Sequence, residues 1–228
     1  MRAIHNPGRV AGLWYLLLTV SGPLFLIYIP SKLFVHGNAA ATVHNIAAHE
    51  WLFRVGIVDE LLGAVILIFL VLALYRLFEG LNRHLAVLVV IFGGIMPATI
   101  YFVDVVNDAG ILSVVRDGAG FLSVFDESQR DALAMLFVRL HDFQITATML
   151  LAGIWLFPLA ILVYQSRFLP RFLGIWLAIA GCGYVALFFT GILLPEYEAK
   201  VFLSCQPAFL GELAFMLWLV IKGARPSS

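Results

Sequence analysis

The sequence predicts an all-α polytopic integral membrane protein, a single domain over residues 1–228 that bundles six transmembrane helices with both termini in the cytoplasm. Three observations predict it. Hydrophobic residues make up 62% of the chain and charged residues only 12%, about half the ~25% of a soluble domain. Apolar runs of about 20 residues recur, the length a helix needs to cross roughly 30 Å of hydrocarbon. Lysine and arginine are unevenly shared between alternate connections, as the positive-inside rule requires.

The first span is expected over residues 10–29. Arg2 and Arg9 precede it as in a signal peptide, but the apolar run is too long for an h-region and no small-residue cleavage site follows, so it reads as an uncleaved span. The second is expected over 51–75. The third covers 85–106, with Gly93, Gly94 and Pro97 kinking it, and Ser21 beside Pro23 marks a similar kink in the first. The fourth runs over 131–164 and starts outside the hydrocarbon. The fifth covers 172–194 and is closed by Pro195; the sixth covers 207–221. Two long outer connections remain. Residues 31–50 hold an alanine-rich helical stretch after Gly37 and Asn38, and residues 107–130 mix short apolar pieces with Gly118 and Gly120. Both read as amphipathic segments lying on the outer leaflet, long enough to carry function.

Orientation follows from the cations. With the N-terminus inside, the inner segments hold Arg2, Arg9, Arg76, Arg83, Arg167, Arg171, Lys222 and Arg225, against Lys32, Arg116, Arg130 and Lys200 outside. Arg54 and Arg139, near the outer rim, narrow that margin without reversing it. The formal net charge is zero, so nucleic acid is excluded as a partner on charge grounds. Cys182 and Cys205 have neither zinc nor redox spacing, and their different depths argue against a disulfide.

Ionisable residues inside spans gather toward the outer half, while the inner halves of the second, fourth and fifth spans are almost purely apolar. Lipid-facing charge deep in a span costs about 2.5–3.5 kcal/mol on the insertion scale, so these groups are expected to face a polar cavity open to the outside. Asp59 and Glu60 sit about one turn inside the second span. Asp104, Asn107 and Asp108 share one helical face. His141, Gln144 and Thr148 form one stripe of the fourth span, and Arg139 with Asp142 another. Glu212 falls near the midplane of the sixth. At about 100° per residue, His49 and Glu60 lie within about 20° of each other, and Glu50 and Arg54, four apart, form a rim pair.

Several phrases, SGPLFLIYIPSKLFV, NIAAHEWLFRVGIVDELLG, LYRLF with NRHLAVL, LPRFLGIWLAIAGCGYV and LGELAFMLWLVIKG, together resemble a bacterial integral membrane family catalogued as domain of unknown function 4386. The resemblance covers most of the chain apart from residues 107–130. It implies a multi-pass protein of the bacterial cytoplasmic (inner) membrane and no particular reaction. Asn45, Arg54, Glu60 and Glu212 stand inside the resembling phrases.

A carboxylic acid kept neutral by a low-dielectric site is a suitable general acid for an alkene, epoxide or ester. The leading expectation is therefore an enzyme acting on a lipid or isoprenoid-like substrate, with Glu60, Glu212, His141 and Asp59 as catalytic groups. Arg54, Asn45, His49, Asp104, Asn107, Asp108, Arg139 and Gln144 would bind substrate. Each has a plainer reading: the acids tie helices together, Arg54 balances Glu50 or Asp59, and His141 bonds a loop carbonyl. His141 and Asp142 are neighbours pointing about 100° apart, so a partner for His141 must come from another helix, such as Glu60. The rim residues are ligand types for zinc, which leaves a metal-dependent lipid hydrolase as an alternative, but there is no HExxH, as Phe53 stands where the second histidine belongs. No metal or cofactor is assigned. A non-enzymatic small-ligand binder, carrier or accessory protein is the other alternative; a carrier predicts inverted repeats, and the chain shows none. The expected partners are membrane lipid or a hydrophobic small molecule, with self-association left open.

Overall fold

The computed structural model describes residues 6–35, 37–116 and 120–225. Arg2 and Gly118 lie outside the described residues. The chain folds as α-helix throughout, with no strand among the described residues. In order, the helices are α1 (Pro7–Pro23), α2 (Ile29–Leu33), α3 (Ala39–Ala48), α4 (Glu50–Phe78), α5 (Arg83–Val90), α6 (Met96–Arg116), α7 (Glu127–Ile154), α8 (Leu156–Gln165), α9 (Arg171–Leu193) and α10 (Glu198–Ile221).

The kinks fall where proline and glycine place them. A π-helical turn, Leu24–Tyr28, follows Pro23, and a second, Ile91–Ile95, contains Gly93 and Gly94 and precedes Pro97. The fourth span is interrupted at Trp155, three residues before Pro158, whose missing N–H leaves a carbonyl of the preceding turn without its donor. The alanine-rich stretch is helical as expected: Asn38 caps it, its Oδ1 accepting from the Ala41 N–H at 2.9 Å.

Two expectations need correction. The third span does not end at residue 106; α6 continues to Arg116, because Ile111, Leu112 and Val115 carry the apolar face onward into a core with Ile29, Ile46 and Phe53. Most of the supposed second outer segment is therefore helix, leaving a short connection with a 3-10 turn at Phe121–Val124. The sixth span starts at Glu198 rather than at residue 207, with Pro207 accommodated inside the helix.

Five helical runs are long and apolar enough to cross a membrane: Glu50–Phe78, Arg83–Arg116, Glu127–Gln165, Arg171–Leu193 and Pro195–Ile221. The run from α1 through the π turn to α2 precedes them. The start of α1 meets the end of α10. The Gly8 N–H donates to the Ala224 carbonyl at 3.1 Å, and Asn6 Oδ1 accepts from the Ala224 N–H at 3.1 Å. Ends that meet lie on one side of the bilayer, which requires an even number of crossings, so the run from Pro7 to Leu33 counts as the sixth.

The chain divides into two compact units: Met1–Leu18, Val65–Thr99 and Thr146–Ser228 make one, and Thr19–Ala64 with Ile100–Ile145 make the other. In the first, glycines let helix backbones touch, as is usual where lipid supplies no hydrophobic drive between helices. A Cβ on Gly12 would stand 2.7 Å from the Val220 backbone nitrogen, and one on Gly153 2.8 Å from the Gly181 carbonyl oxygen. Phe78, Leu156 and Phe215 fill the space between and are fully buried. In the second unit, α2, α3, α6 and the outer parts of α4 and α7 enclose Leu33, Ile46, Ile111 and Val138. Gly110 faces the Phe137 ring, where a Cβ would come within 2.8 Å, so α6 and α7 approach closely beside the polar residues described next.

Candidate functional site

All the site residues on α4, α6 and α7 belong to the second unit. On α6, Asp104, Asn107 and Asp108 lie at i, i+3 and i+4, one face of the helix. On α7, His141 and Gln144 make the matching stripe. The two stripes face each other. His141 Nδ1 stands 3.2 Å from Asp104 Oδ2 and 3.4 Å from Asp108 Oδ1, and Asn107 Nδ2 donates to Gln144 Oε1. Glu60 of α4 completes the group, close enough to Asp104, Asp108 and His141 to interact with all three charges. The cluster is buried: Glu60 and Asp104 are each 2% exposed, Asp108 and His141 each 3%.

Three carboxyl groups around one imidazole hold more acceptors than donors. As ionised acceptors, Glu60 Oε1 and Oε2 and Asp104 Oδ1 reach no donor. A carboxyl that carries a proton would supply one, since it donates as well as accepts. The arrangement can therefore store protons and exchange them with His141. Among the described residues, no three His, Cys, Asp or Glu side chains are arranged to hold a metal ion.

One wall of the cluster opens on a cavity of about 1050 Å³ within the same unit, lined by Phe34 and Thr42 and, from α7, by Met135, Arg139, His141 and Asp142. Phe34 stacks edge-on against the His141 ring, with centroids 5.9 Å apart. His141 thus touches the buried carboxylates on one side and the cavity on another.

The remaining expected residues are dispersed. Arg54 Nε bonds Glu50 Oε1 at 2.7 Å, the rim pair that their spacing predicts, and Arg116 joins at 3.5 Å. Asn45 donates to the Leu33 carbonyl at 3.4 Å and so ties α3 to α2. His49 does not share the Glu60 face. That geometry assumes one unbroken helix, whereas the backbone breaks at His49 (φ −126°, ψ 37°) and its ring lies exposed against the Asn45 carbonyl. Asp59 is half-buried and forms no ion pair among the described residues. Glu212 belongs to the other unit, where its carboxylate accepts from the Tyr15 and Tyr184 hydroxyls.

Sequence reasoning missed Tyr184, and it missed Tyr101, which lies close enough to Glu60 and Asp104 to feel both charges. Tyr101 was findable: it stands three residues before Asp104, on the same helical face.

Fold and site together define a class, polytopic helical membrane proteins with an acid–histidine cluster buried between spans. The chain belongs to the family described as Domain of unknown function (DUF4386), whose model matches residues 10–223. It is also similar to an uncharacterized protein of Archaeoglobus fulgidus, 40% identical over 78 residues, which are 33% of this chain and 43% of that protein. The chain thus spans less than half the length of that curated relative. No solved structure matches.

Proposed function

We propose that the protein is a membrane-embedded enzyme of the bacterial cytoplasmic membrane, acting by general acid/base chemistry on a lipid or isoprenoid-like substrate. The observation that carries this is the placement of His141, with Nδ1 between two buried aspartates and its ring on a lipid-sized cavity. Asp104 and Asp108 orient the ring and stabilise its protonated form, the role a carboxylate plays behind a catalytic histidine. Glu60 serves as the proton reservoir. The substrate's apolar part lies along Phe34 and Met135, and its reacting bond meets His141. Glu212, hydrogen-bonded by two tyrosines, ties α1 and α9 to α10 in its own unit and takes no part in the step.

The test is a comparison of membrane lipids. Cells expressing the wild-type chain are expected to differ by mass spectrometry from cells expressing His141→Asn in at least one lipid species. Identical lipid profiles at equal expression would overturn the reading.

A further inference from the structure

We infer that the inner rim of the first unit is a docking surface for anionic phospholipid, with Arg76, Arg83, Arg167 and Arg171 supplying the positive charge. This surface is independent of the proposed reaction, whose residues all belong to the second unit.

The fold gathers these arginines. They stand at two short connections, from α4 to α5 and from α8 to α9, with α5 packed on α8 and α8 on α9. The two connections adjoin, because the Phe78 ring stacks on that of Phe168 with centroids 5.9 Å apart. A Cβ on Gly174 would stand 2.7 Å from the Ala160 carbonyl oxygen. So close an approach of α9 to α8 sets Arg171 over the Tyr164 ring, 5.4 Å from its centroid. All four arginines are exposed, and none of the ion pairs among the described residues includes them. Against these four charges the two connections carry one acid, Glu79.

Local helix electrostatics do not account for this placement. A helix N-terminus is the positive end of the macrodipole and favours acids. Three helices that enter from the outer side follow that rule, with Glu50 in the first turn of α4, Glu127 in that of α7 and Glu198 in that of α10. On the inner side it is inverted. The first turns of α5 and α9 hold no acid and begin with Arg83 and Arg171, each opposing its own helix dipole. Dipole ends and side chains therefore add to one positive field, which an anion at this rim neutralises.

The neighbouring surface selects lipid as the anion. Ile161, Tyr164 and Phe172 are large exposed side chains beside the arginines, and acyl chains cover them when a headgroup lies at Arg171. The guanidinium fork suits a phosphate diester, to which it donates two parallel bonds. The connections span only residues 79–82 and 166–170, and they project no lobe for an acidic protein to clasp. Basic side chains next to a leaflet of anionic lipid are each attracted to it.

The experiment is native mass spectrometry of the full-length chain in detergent, with added phosphatidylglycerol or phosphatidylethanolamine of the same acyl chains. The wild type is expected to retain phosphatidylglycerol about fivefold better, or about 1 kcal/mol, the attraction of one arginine near an anionic surface. Arg167→Gln with Arg171→Gln should lower that preference, and adding Arg76→Gln and Arg83→Gln should abolish it. Arg167→Lys with Arg171→Lys keeps the charge and should hold the preference. Lys200→Gln, at the other end of the same unit, should leave it unchanged. Equal retention of the two lipids by the wild type, a preference that survives all four glutamines, or one lost equally in Lys200→Gln would overturn the inference. Retention of poly-glutamate in place of phosphatidylglycerol would overturn it in favour of an acidic protein partner.

Discussion

Glu60 and Glu212 both sit within spans, yet their surroundings differ. Glu212 accepts from Tyr15 and Tyr184, so its acceptors are satisfied by neutral donors. Glu212→Gln keeps an acceptor for Tyr15 and is expected to leave thermal stability in detergent nearly unchanged. Glu212→Leu strands the buried Tyr15 hydroxyl and should cost about 1–3 kcal/mol, readable as a lower melting temperature. Glu60 instead has two aspartates, the His141 imidazole and the Tyr101 hydroxyl within electrostatic reach. At this scale the sequence located the acids within the spans and was silent about their partners. Helical spacing put Asp104 and Asp108 on one face and His141 and Gln144 on another. Nothing in one sequence says that those two faces meet, because that depends on the packing of α6 against α7.

Elements were legible where local chemistry sets them. The π turns follow Pro23 and contain Gly93 and Gly94, and the Asn38 cap opens α3. Where packing overrides local signals, the boundaries moved: α6 runs on to Arg116 because its apolar face has a core to cover. The start of α7 shows a signal that could have been read. In DESQ, Asp126 Oδ1 accepts from the Gln129 N–H at 2.8 Å and the Asp126 N–H donates back to Gln129 Oε1 at 3.0 Å, a reciprocal capping pair. The bond from the Gln129 N–H, followed by that from Ser128, holds the Asp126 carboxyl below its usual range. A lowered value means the cap is present above the ordinary carboxylate pKa and is lost as pH falls through the lowered one. Amide protection at residues 127–130 should therefore hold from neutral pH to about 5 and fall only in stronger acid. Asp126→Ala should remove it at every pH, as hydrogen exchange would show. Helix contacts give a sharper case. Gly153→Val would drive its side chain into the Gly181 carbonyl oxygen, a backbone atom that cannot rotate away. A loss of about 1–3 kcal/mol is expected, seen as a lower melting temperature than for Gly22→Val, where a Cβ meets nothing within 4 Å.

For the whole molecule, composition and run length were enough to establish a multi-pass helical protein, and cation placement gave a sidedness. The contact between Gly8 and Ala224 adds that both ends share a side. Reporter fusions at residue 1 and residue 228 should accordingly give the same signal, and the lysine and arginine distribution predicts the cytoplasmic one. The division into two units was not legible, because its boundaries fall inside helices, at residues 64 and 65 of α4 for example, where the apolar run continues unchanged. That division separates the two acids. The most direct test is lipid turnover by the purified chain in its host's own lipids, with Glu60→Gln and Glu212→Gln compared under one assay. General acid/base proton transfer is worth about 10²- to 10⁴-fold and Glu60 supplies the proton that His141 passes on, so Glu60→Gln should fall by at least about a hundredfold while Glu212→Gln stays within about threefold of wild type. Equal losses, or turnover that survives Glu60→Gln, would contradict the account.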